Sequence, residues 1–238
     1  LKILNKAKLK KISFDETNSK YFQNGLIING IFFAKKKIRK IKKIKVYQGP
    51  KYIILNKEYK DQNKKKKINQ KKLSALVCSG GGDYKNFLYK ISSNLINSKL
   101  DKIYIVIGSA VKKNNKIFKI KSNVIKKLHN LNSLRSAINK SDIIICTGGT
   151  IMFETIAMRK KPYVFLNYSN QKYAINYFEK RGAIINCKKP TIKNILKMKK
   201  NIYNIILENN LKNIFNKTNF VDGNGLERSV KIIMNYIN

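Results

Sequence analysis

Short apolar runs alternate with amphipathic stretches from Leu73 to the end of the chain. The apolar runs have the length and composition of buried strands. Between them, apolar residues recur at the spacing of one helical face, as in the stretch that begins at Phe87. This alternation predicts a parallel sheet with right-handed crossovers, which is an α/β domain of Rossmann-like type. The predicted strands lie at 73–78, 103–107, 122–131, 142–146, 162–166 and 182–185, and the predicted helices at 86–97, 132–139, 150–159, 170–181, 191–208 and 223–237.

The first part of the chain is less regular. One predicted strand ends at Asp15 and Glu16, and a second apolar run ends at Asn29. The lysine-rich segment 35–45 is compatible with either a helix or a strand, because its isoleucines fit both periods. A structural role at a strand end is the favoured interpretation of Asp15 and Glu16, and a catalytic base is the alternative.

Composition divides the chain into three parts. Residues 60–72 are almost all lysine, asparagine and glutamine, which is typical of a linker or an exposed loop, with a nucleic-acid-binding arm as the alternative. The predicted organisation is a partial N-terminal domain over 1–59, this lysine-rich linker, and a complete C-terminal domain over 73–238. Because the chain opens at Leu1 without the pattern of a signal peptide, we expect the front of the N-terminal domain to be absent.

A turn with two glycines joins the strand at 142–146 to the next helix. Gly148 and Gly149 let the backbone approach another group closely and leave the first N–H groups of the helix pointing outward, which is a general anion cradle. Thr150 can cap the helix or bond a phosphate oxygen. Glu154 shares a helix face with Thr150 and can accept hydrogen bonds from ribose hydroxyls. The competing interpretation is a tight turn with a solvated glutamate.

An earlier glycine turn follows the strand at 73–78 and contains Gly80, Gly81 and Gly82. It matches neither the dinucleotide fingerprint nor the Walker motif, and the alternative is an ordinary turn capped by Asp83. Parallel sheets bind ligands at the carboxyl ends of their strands, so both glycine turns and the loop 108–111 are expected at one edge. Together the two glycine turns predict a nucleotide site.

The formal net charge of +40 suggests an anionic partner such as nucleic acid. However, only five of the 52 basic residues are arginine, the residue on which base and phosphate recognition depends most. The abundance of Lys, Ile and Asn is also typical of an AT-rich genome. Nucleic acid is therefore a disfavoured partner, and the lysines are expected to attract an anionic substrate.

The remaining chemistry-bearing residues are few. Cys78, Cys146 and Cys187 are far apart, without zinc or redox spacing, and are expected to be reduced core thiols of a cytoplasmic protein. The single histidine, His129, is expected at the surface or on an edge strand. No apolar run reaches the ~18 residues of a membrane span. We expect a monomer without a metal or a cofactor.

A series of short motifs follows one order along the chain, and that order resembles a known family. The resemblance is to the UDP-sugar hydrolase of pseudaminic acid biosynthesis and its spore-coat polysaccharide relatives in bacteria. The C-terminal half also resembles the nucleotide-binding domain of glycosyltransferase-B enzymes, such as the peptidoglycan N-acetylglucosaminyltransferase. The motifs lie at 12–16, 26–29, 48–52 with Leu55, 79–83, 147–150 with Glu154, 170–171, 182–183 and 222–228.

The resemblance implies a UDP site made by the two glycine turns, with the second holding the diphosphate and Glu154 the uridine ribose. Asn170 and Gln171 would face the sugar and the pyrophosphate. The implied reaction removes UDP from a 2,4-diacetamido-2,4,6-trideoxy hexose by attack of water, without a metal. The family's base is a histidine in a glycine-rich loop near its N-terminus, and His129 matches no such motif, so the catalytic residue is expected in the absent segment. The alternatives are a UDP-sugar-dependent glycosyltransferase of glycosyltransferase-B type and a lysine-rich nucleic-acid-binding protein.

Overall fold

A computed structural model describes residues 9–14, 24–31, 44–60, 72–129, 131–208, 210–215 and 218–238. The chain divides into two compact units. Unit 1 comprises Leu1–Asp61 and Asn219–Asn238, and unit 2 comprises Gln62–Thr218. The strands are β1 Ile12–Phe14, β2 Gly25–Asn29, β3 Ile44–Gln48, β4 Ser74–Cys78, β5 Lys102–Ile107, β6 Ile125–His129, β7 Ile143–Thr147, β8 Tyr163–Phe165 and β9 Ile185–Asn186, and the α-helices are α1 Phe87–Leu95, α2 Arg135–Lys140, α3 Thr150–Ala157, α4 Lys172–Lys180, α5 Ile192–Leu207 and α6 Gly225–Ile237.

Unit 2 is built on a parallel sheet of six strands in the order β6-β5-β4-β7-β8-β9. This order is that of a doubly wound sheet whose crossovers reverse direction between the two central strands. All residues of β4 and β7 are buried, as expected for strands covered on both faces. The predicted Rossmann-like α/β architecture is confirmed.

The core of unit 2 follows the apolar pattern of the sequence. Helices α1 and α5 turn their apolar faces to the same cluster, which includes Phe87, Ile91, Met198 and Ile202. Helices α3 and α4 meet through Phe153 and Phe178, whose ring centroids lie 5.8 Å apart. Helices α1 and α5 each bury one apolar stripe and leave the other face to solvent, whereas α3 is buried on almost all sides.

Unit 1 contains a parallel sheet in the order β1-β2-β3. Its central strand β2 is fully buried, and its small core gathers Leu26, Ile28 and Tyr52, with Ile232 and Tyr236 of α6 packed against it. The undecided lysine-rich region ends in strand β3, whose lysine is exposed and whose isoleucine is half-buried. Asp15, Glu16 and most of the predicted linker 60–72 lie outside the described residues.

The boundary of the second unit differs from the sequence-based prediction. We predicted one C-terminal domain over 73–238, whereas 219–238 belongs to the same compact unit as the start of the chain. Gly225 shows the reason, since a Cβ there would lie 2.0 Å from the carbonyl oxygen of Ile53. Only glycine allows the start of α6 to pass this close to the backbone of the first unit.

Candidate functional site

The candidate site lies at the switch point of unit 2, which is the place between β4 and β7 where the crossovers reverse direction. Strands β4 and β7 are adjacent and parallel, with Cys78 opposite Cys146. The two glycine turns therefore leave the same edge of the sheet side by side, as predicted. The hydroxyl of Thr147 donates a hydrogen bond to the carbonyl oxygen of Ser79 at 3.3 Å, which ties the ends of the two strands together.

The first glycine turn is joined to the loop after β5. Gly80 has a φ of +90°, a backbone conformation that favours glycine. A Cβ at Gly108 would lie 2.3 Å from the carbonyl oxygen of Gly80, so the two loops touch through their backbones. The N–H of Ala110 also donates to the carbonyl oxygen of Gly81 at 2.9 Å. All three loops predicted at this edge are therefore in one place.

The N-terminus of α1 is occupied by a side chain. Asp83 accepts hydrogen bonds from the backbone N–H of Leu88 at 2.9 Å and from the amide of Asn115 at 3.0 Å. Burial raises the pKa of Asp83, and these hydrogen bonds oppose that shift. The alternative of a turn capped by Asp83 is thus the observed arrangement, and the N–H of Leu88 at this helix opening is already bonded to a carboxylate. Gly81 and Gly82 remain at the edge of the sheet.

The N-terminus of α3 is different. Gly149 is its N-cap, and this residue makes no side-chain capping hydrogen bond. Of the two roles predicted for Thr150, capping is not observed, because Gly149 is the N-cap and Thr150 is the first helical residue, with an exposed side chain; a bond to phosphate stays a prediction. The first N–H groups of α3 and the positive end of its dipole therefore face the switch point, which is an arrangement suited to an anion.

The helix α3 ends in a compact C-terminal motif. Arg159 has a φ of +60°, its N–H donates to the carbonyl oxygen of Ile156 at 3.0 Å, and the N–H of Lys160 donates to that of Thr155 at 3.1 Å. This pair of bonds is the Schellman arrangement, normally made by glycine. It ends α3 at its C-terminal side.

Gln171 reaches the second glycine turn from the loop after β8. A Cβ at Gly148 would lie 3.0 Å from Cβ of Gln171 and 2.7 Å from Cδ1 of Ile175, so only glycine allows this approach. The side-chain oxygen of Gln171 accepts hydrogen bonds from the N–H groups of Asn167 and Tyr168 at 3.1 and 3.3 Å. Its amide nitrogen is 4.0 Å from the Cβ position of a residue at Gly149. Asn170 is exposed beside it.

Glu154 is half-buried on α3, one turn beyond Thr150. Its carboxylate is close enough to Cys78 and Cys146, at the ends of β4 and β7, to affect the pKa values of both thiols. Burial and, to a smaller extent, the carboxylate of Glu154 raise the pKa of Cys78 to about 11. The pKa of Cys146 is raised by burial and, to a smaller extent, by neighbouring thiols and by Glu154. Both thiols are therefore protonated at neutral pH and unsuited to act as nucleophiles.

The single histidine of the chain lies away from the second glycine turn. His129 is exposed at the end of edge strand β6 and stacks on Phe118, with centroids 6.3 Å apart. Three strand spacings, or ~14 Å, separate β6 from β7. The prediction that His129 lies on an edge strand is confirmed. Within the described ranges, no group of three His, Cys, Asp or Glu side chains could hold a metal ion.

Unit 1 contains a buried asparagine side chain without a hydrogen-bond partner among the described residues, which the sequence does not predict. Asn29, at the carboxyl end of β2, is 1% exposed. Neither its amide oxygen nor its amide nitrogen has a hydrogen-bond partner among the described residues. It pairs in register with Gln48 at the end of β3. The sequence indicated only that a strand ends in asparagine there.

Comparison with solved structures identifies the architecture. The chain superimposes on Acinetobacter baumannii MurG with a TM-score of 0.58 and 12% identity, over 89% of this chain and 67% of MurG. The fold is of glycosyltransferase-B type. The glycotransferase of kitacinnamycin has the same fold, with a TM-score of 0.53 and 12% identity over 91% of this chain and 55% of its own. A TarM variant from S. aureus, solved with fondaparinux, alpha-GlcNAc-glycerol and UDP, gives 0.50 and 12% over 88% of this chain and 41% of TarM.

Sequence comparison adds one relative. The uncharacterized protein MJ1062 of Methanocaldococcus jannaschii is 28% identical over an alignment of 163 positions, and the alignment covers 62% of this chain. The chain spans about a third of the length of that relative. No protein-family profile matches the chain. In the described part of this glycosyltransferase-B fold, no helix combines the length and hydropathy of a membrane span.

Proposed function

We propose that the chain binds a UDP-sugar at the switch point of unit 2 and belongs to an enzyme that breaks the bond between the sugar and the diphosphate. The observation that carries this proposal is the uncapped N-terminus of α3, with Gln171 packed against its glycine turn. Helix N-termini of this kind bind phosphate groups through backbone N–H groups and the helix dipole. The resemblance of the second glycine turn to the diphosphate loop of UDP-sugar hydrolases supports the same assignment.

The proposed chemistry needs little from the nucleotide-binding unit beyond charge stabilisation. The bond between the anomeric carbon and the diphosphate oxygen breaks, and its electron pair leaves with UDP. Backbone N–H groups at Gly149 and Thr150 would stabilise the charge that develops there. The attacking oxygen forms the new bond to the anomeric carbon and gives its proton to a base. We propose that Glu154 binds the ribose, because it lies one turn from the anion cradle on the same helix face.

Two attacking groups are proposed, namely water and the hydroxyl of an acceptor. Sequence resemblance favours water, which makes the protein a UDP-sugar hydrolase of surface-glycan biosynthesis. The structural neighbours favour an acceptor hydroxyl, which makes it a glycosyltransferase, and one of them was solved with UDP. Incubation of the protein with a UDP-sugar alone distinguishes the two. Steady release of free sugar indicates the hydrolase, and release of UDP only on addition of an acceptor indicates the transferase.

The binding proposal is tested by calorimetry with UDP. Glu154→Ala is expected to weaken UDP binding roughly tenfold, because a charge-assisted hydrogen bond contributes about 1.5 kcal/mol. Glu208→Ala is the matched control, since Glu208 is an exposed glutamate at the end of α5. The proposed function is wrong if the wild-type protein does not bind UDP. The ribose role alone is wrong if UDP binds and Glu154→Ala leaves its affinity unchanged.

A further inference from the structure

Two exposed tyrosines meet across the candidate site. The rings of Tyr84 and Tyr168 have centroids 5.0 Å apart and planes inclined by 34°. Their side chains are large and apolar, yet the residues are 42% and 50% exposed. Pairs of aromatic rings at this spacing attract one another, and the ammonium of Lys85 lies 5.1 Å from the centroid of the Tyr84 ring, so Tyr168 is the more exposed of the two. Such exposed apolar surface is informative when it lies beside a binding site.

The sheet order fixes where the rings meet. Tyr84 follows the glycine turn after β4, and Tyr168 follows β8. Strand β7 lies between β4 and β8, which are therefore two strand spacings or ~10 Å apart. The ring pair consequently bridges the carboxyl end of β7, where the turn of Gly148 and Gly149 begins.

The backbone around Tyr84 is constrained. Tyr84 directly follows Asp83, whose carboxylate is bonded to the N–H of Leu88. Lys85 and Asn86, which lie between Tyr84 and the start of α1, have φ values of +53° and +54°. Two successive left-handed residues other than glycine are strained, and strain of this kind clusters at ligand sites.

The second tyrosine is coupled to the proposed sugar side of the site. The N–H of Tyr168 donates to the side-chain oxygen of Gln171, the residue that packs against Gly148. Glu154, the proposed ribose ligand, belongs instead to α3, the helix after β7. The ring pair is thus linked through Gln171 to the part of the ligand that lies beyond the diphosphate.

We propose that Tyr84 and Tyr168 form an aromatic wall that stacks against the apolar C–H face of the hexopyranose ring of the UDP-sugar. This assignment rests on the proposed function and adds a specificity determinant to the same site. Ligand pockets typically combine aromatic walls with a few convergent polar groups, here the N-terminus of α3 and Gln171. The wall acts on the sugar and leaves the binding of UDP itself unaffected.

The test compares UDP with UDP-N-acetylglucosamine and UDP-glucose by calorimetry. The wild-type protein is expected to bind at least one UDP-hexose more tightly than UDP. Tyr84→Ala and Tyr168→Ala are each expected to weaken that UDP-hexose by roughly two- to tenfold, the range of aromatic contacts, and to change the affinity for UDP less than twofold. The double variant should lose no more than the sum of the single effects, because the two rings act as one surface.

Tyr203→Ala is the matched control. Tyr203 is 37% exposed and, like Tyr84, has a lysine ammonium 5.1 Å from its ring centroid, but it lies on α5. Tyr84→Phe should retain the UDP-hexose affinity, since stacking needs the ring and not the hydroxyl. Equal weakening of UDP and UDP-hexose would overturn the proposal and assign the rings to the nucleobase. Unchanged affinities in both alanine variants would also overturn it, whereas failure of the wild-type protein to bind UDP would overturn the proposed function first.

Discussion

The carboxylate of Asp83 accepts a hydrogen bond from the backbone N–H of Leu88 at 2.9 Å, at the point where α1 begins. The two glycine turns of the switch point are therefore not equivalent. One helix N-terminus is already satisfied by an internal carboxylate, and the other, at Gly149, has no side-chain cap. For this reason the anion site is proposed at the second turn, which contains Gly148 and Gly149.

Replacement of Asp83 should lower the stability of the protein and leave its affinity for UDP nearly unchanged. Asp83→Ala removes an N-terminal acceptor and is expected to lower the free energy of unfolding by about 1 kcal/mol. Its effect on UDP affinity should be less than twofold, because α1 does not contribute to the anion cradle. Denaturant unfolding and calorimetry measure the two quantities. Asp83→Asn retains an oxygen facing Leu88 and serves as the control, and a large change in UDP affinity in either variant would contradict the assignment.

The two glycines of the second turn should differ in their tolerance of alanine. Gly148→Ala places a Cβ 2.7 Å from Cδ1 of Ile175 and 3.0 Å from Cβ of Gln171, so it displaces Gln171 and is expected to cost about 1–3 kcal/mol of stability. Gly149→Ala is the adjacent control, since its nearest contact of this kind is 4.0 Å away. Thermal unfolding of the pair checks the prediction, which fails if both variants melt at the same temperature.

Removal of the unbonded amide of Asn29 should stabilise unit 1. A buried polar group without a partner costs about 1–3 kcal/mol, so Asn29→Leu, which keeps the approximate volume, is expected to raise the thermal midpoint. Ser92→Ala gives a parallel measurement in unit 2, where the hydroxyl of Ser92 is buried without a partner among the described residues. A lower midpoint for Asn29→Leu would show that its amide is bonded in solution, for example to water.

The acid sensitivity of unit 1 should depend on Asp222. Hydrogen bonds from Arg228 hold the pKa of Asp222 well below its usual range. A depressed folded-state pKa means that the contribution to stability is present above about pH 4 and is lost as the pH falls below that value. Asp222→Asn should therefore reduce stability at pH 7 by roughly 1 kcal/mol and flatten its decrease toward low pH. Denaturation at several pH values provides the measurement.

Glu227→Gln is the control for Asp222. Glu227 lies 2.8 Å from the ammonium of Lys60, but its side chain is 65% exposed, so its replacement should have little effect at any pH. Equal pH dependence of the two variants and the wild-type protein would contradict the role given to the bidentate pair of Asp222 and Arg228.

The sequence predicted the sheet of unit 2 because its strands are short apolar runs separated by one-sided helices. The strands β4 and β7 were placed within one residue, since fully buried strands have almost no polar residues. Strand β3 was not predicted, because its isoleucine and lysine spacing fits a helix equally well. The common edge of both glycine turns also followed from the sequence, since parallel strands end on one side.

Other features depend on contacts between residues far apart in the chain. Lys160 is 8% exposed and donates to the carbonyl oxygens of Ile138 and Asn139 at 2.6 and 3.2 Å. In a chain with so many lysines, no local pattern distinguishes this buried one. The contact of Tyr84 with Tyr168 likewise brings together two loops that neighbour different strands.

The sequence by itself determined the α/β class, the strand and helix order and the edge at which a ligand would bind, because each follows from local periodicity and from the geometry of parallel strands. Tertiary structure decided which helix N-terminus is open, which polar groups are buried without partners, and that the last helix joins the first unit. These depend on side-chain and backbone distances between remote segments, as with Gly225 against Ile53, and no local pattern encodes them.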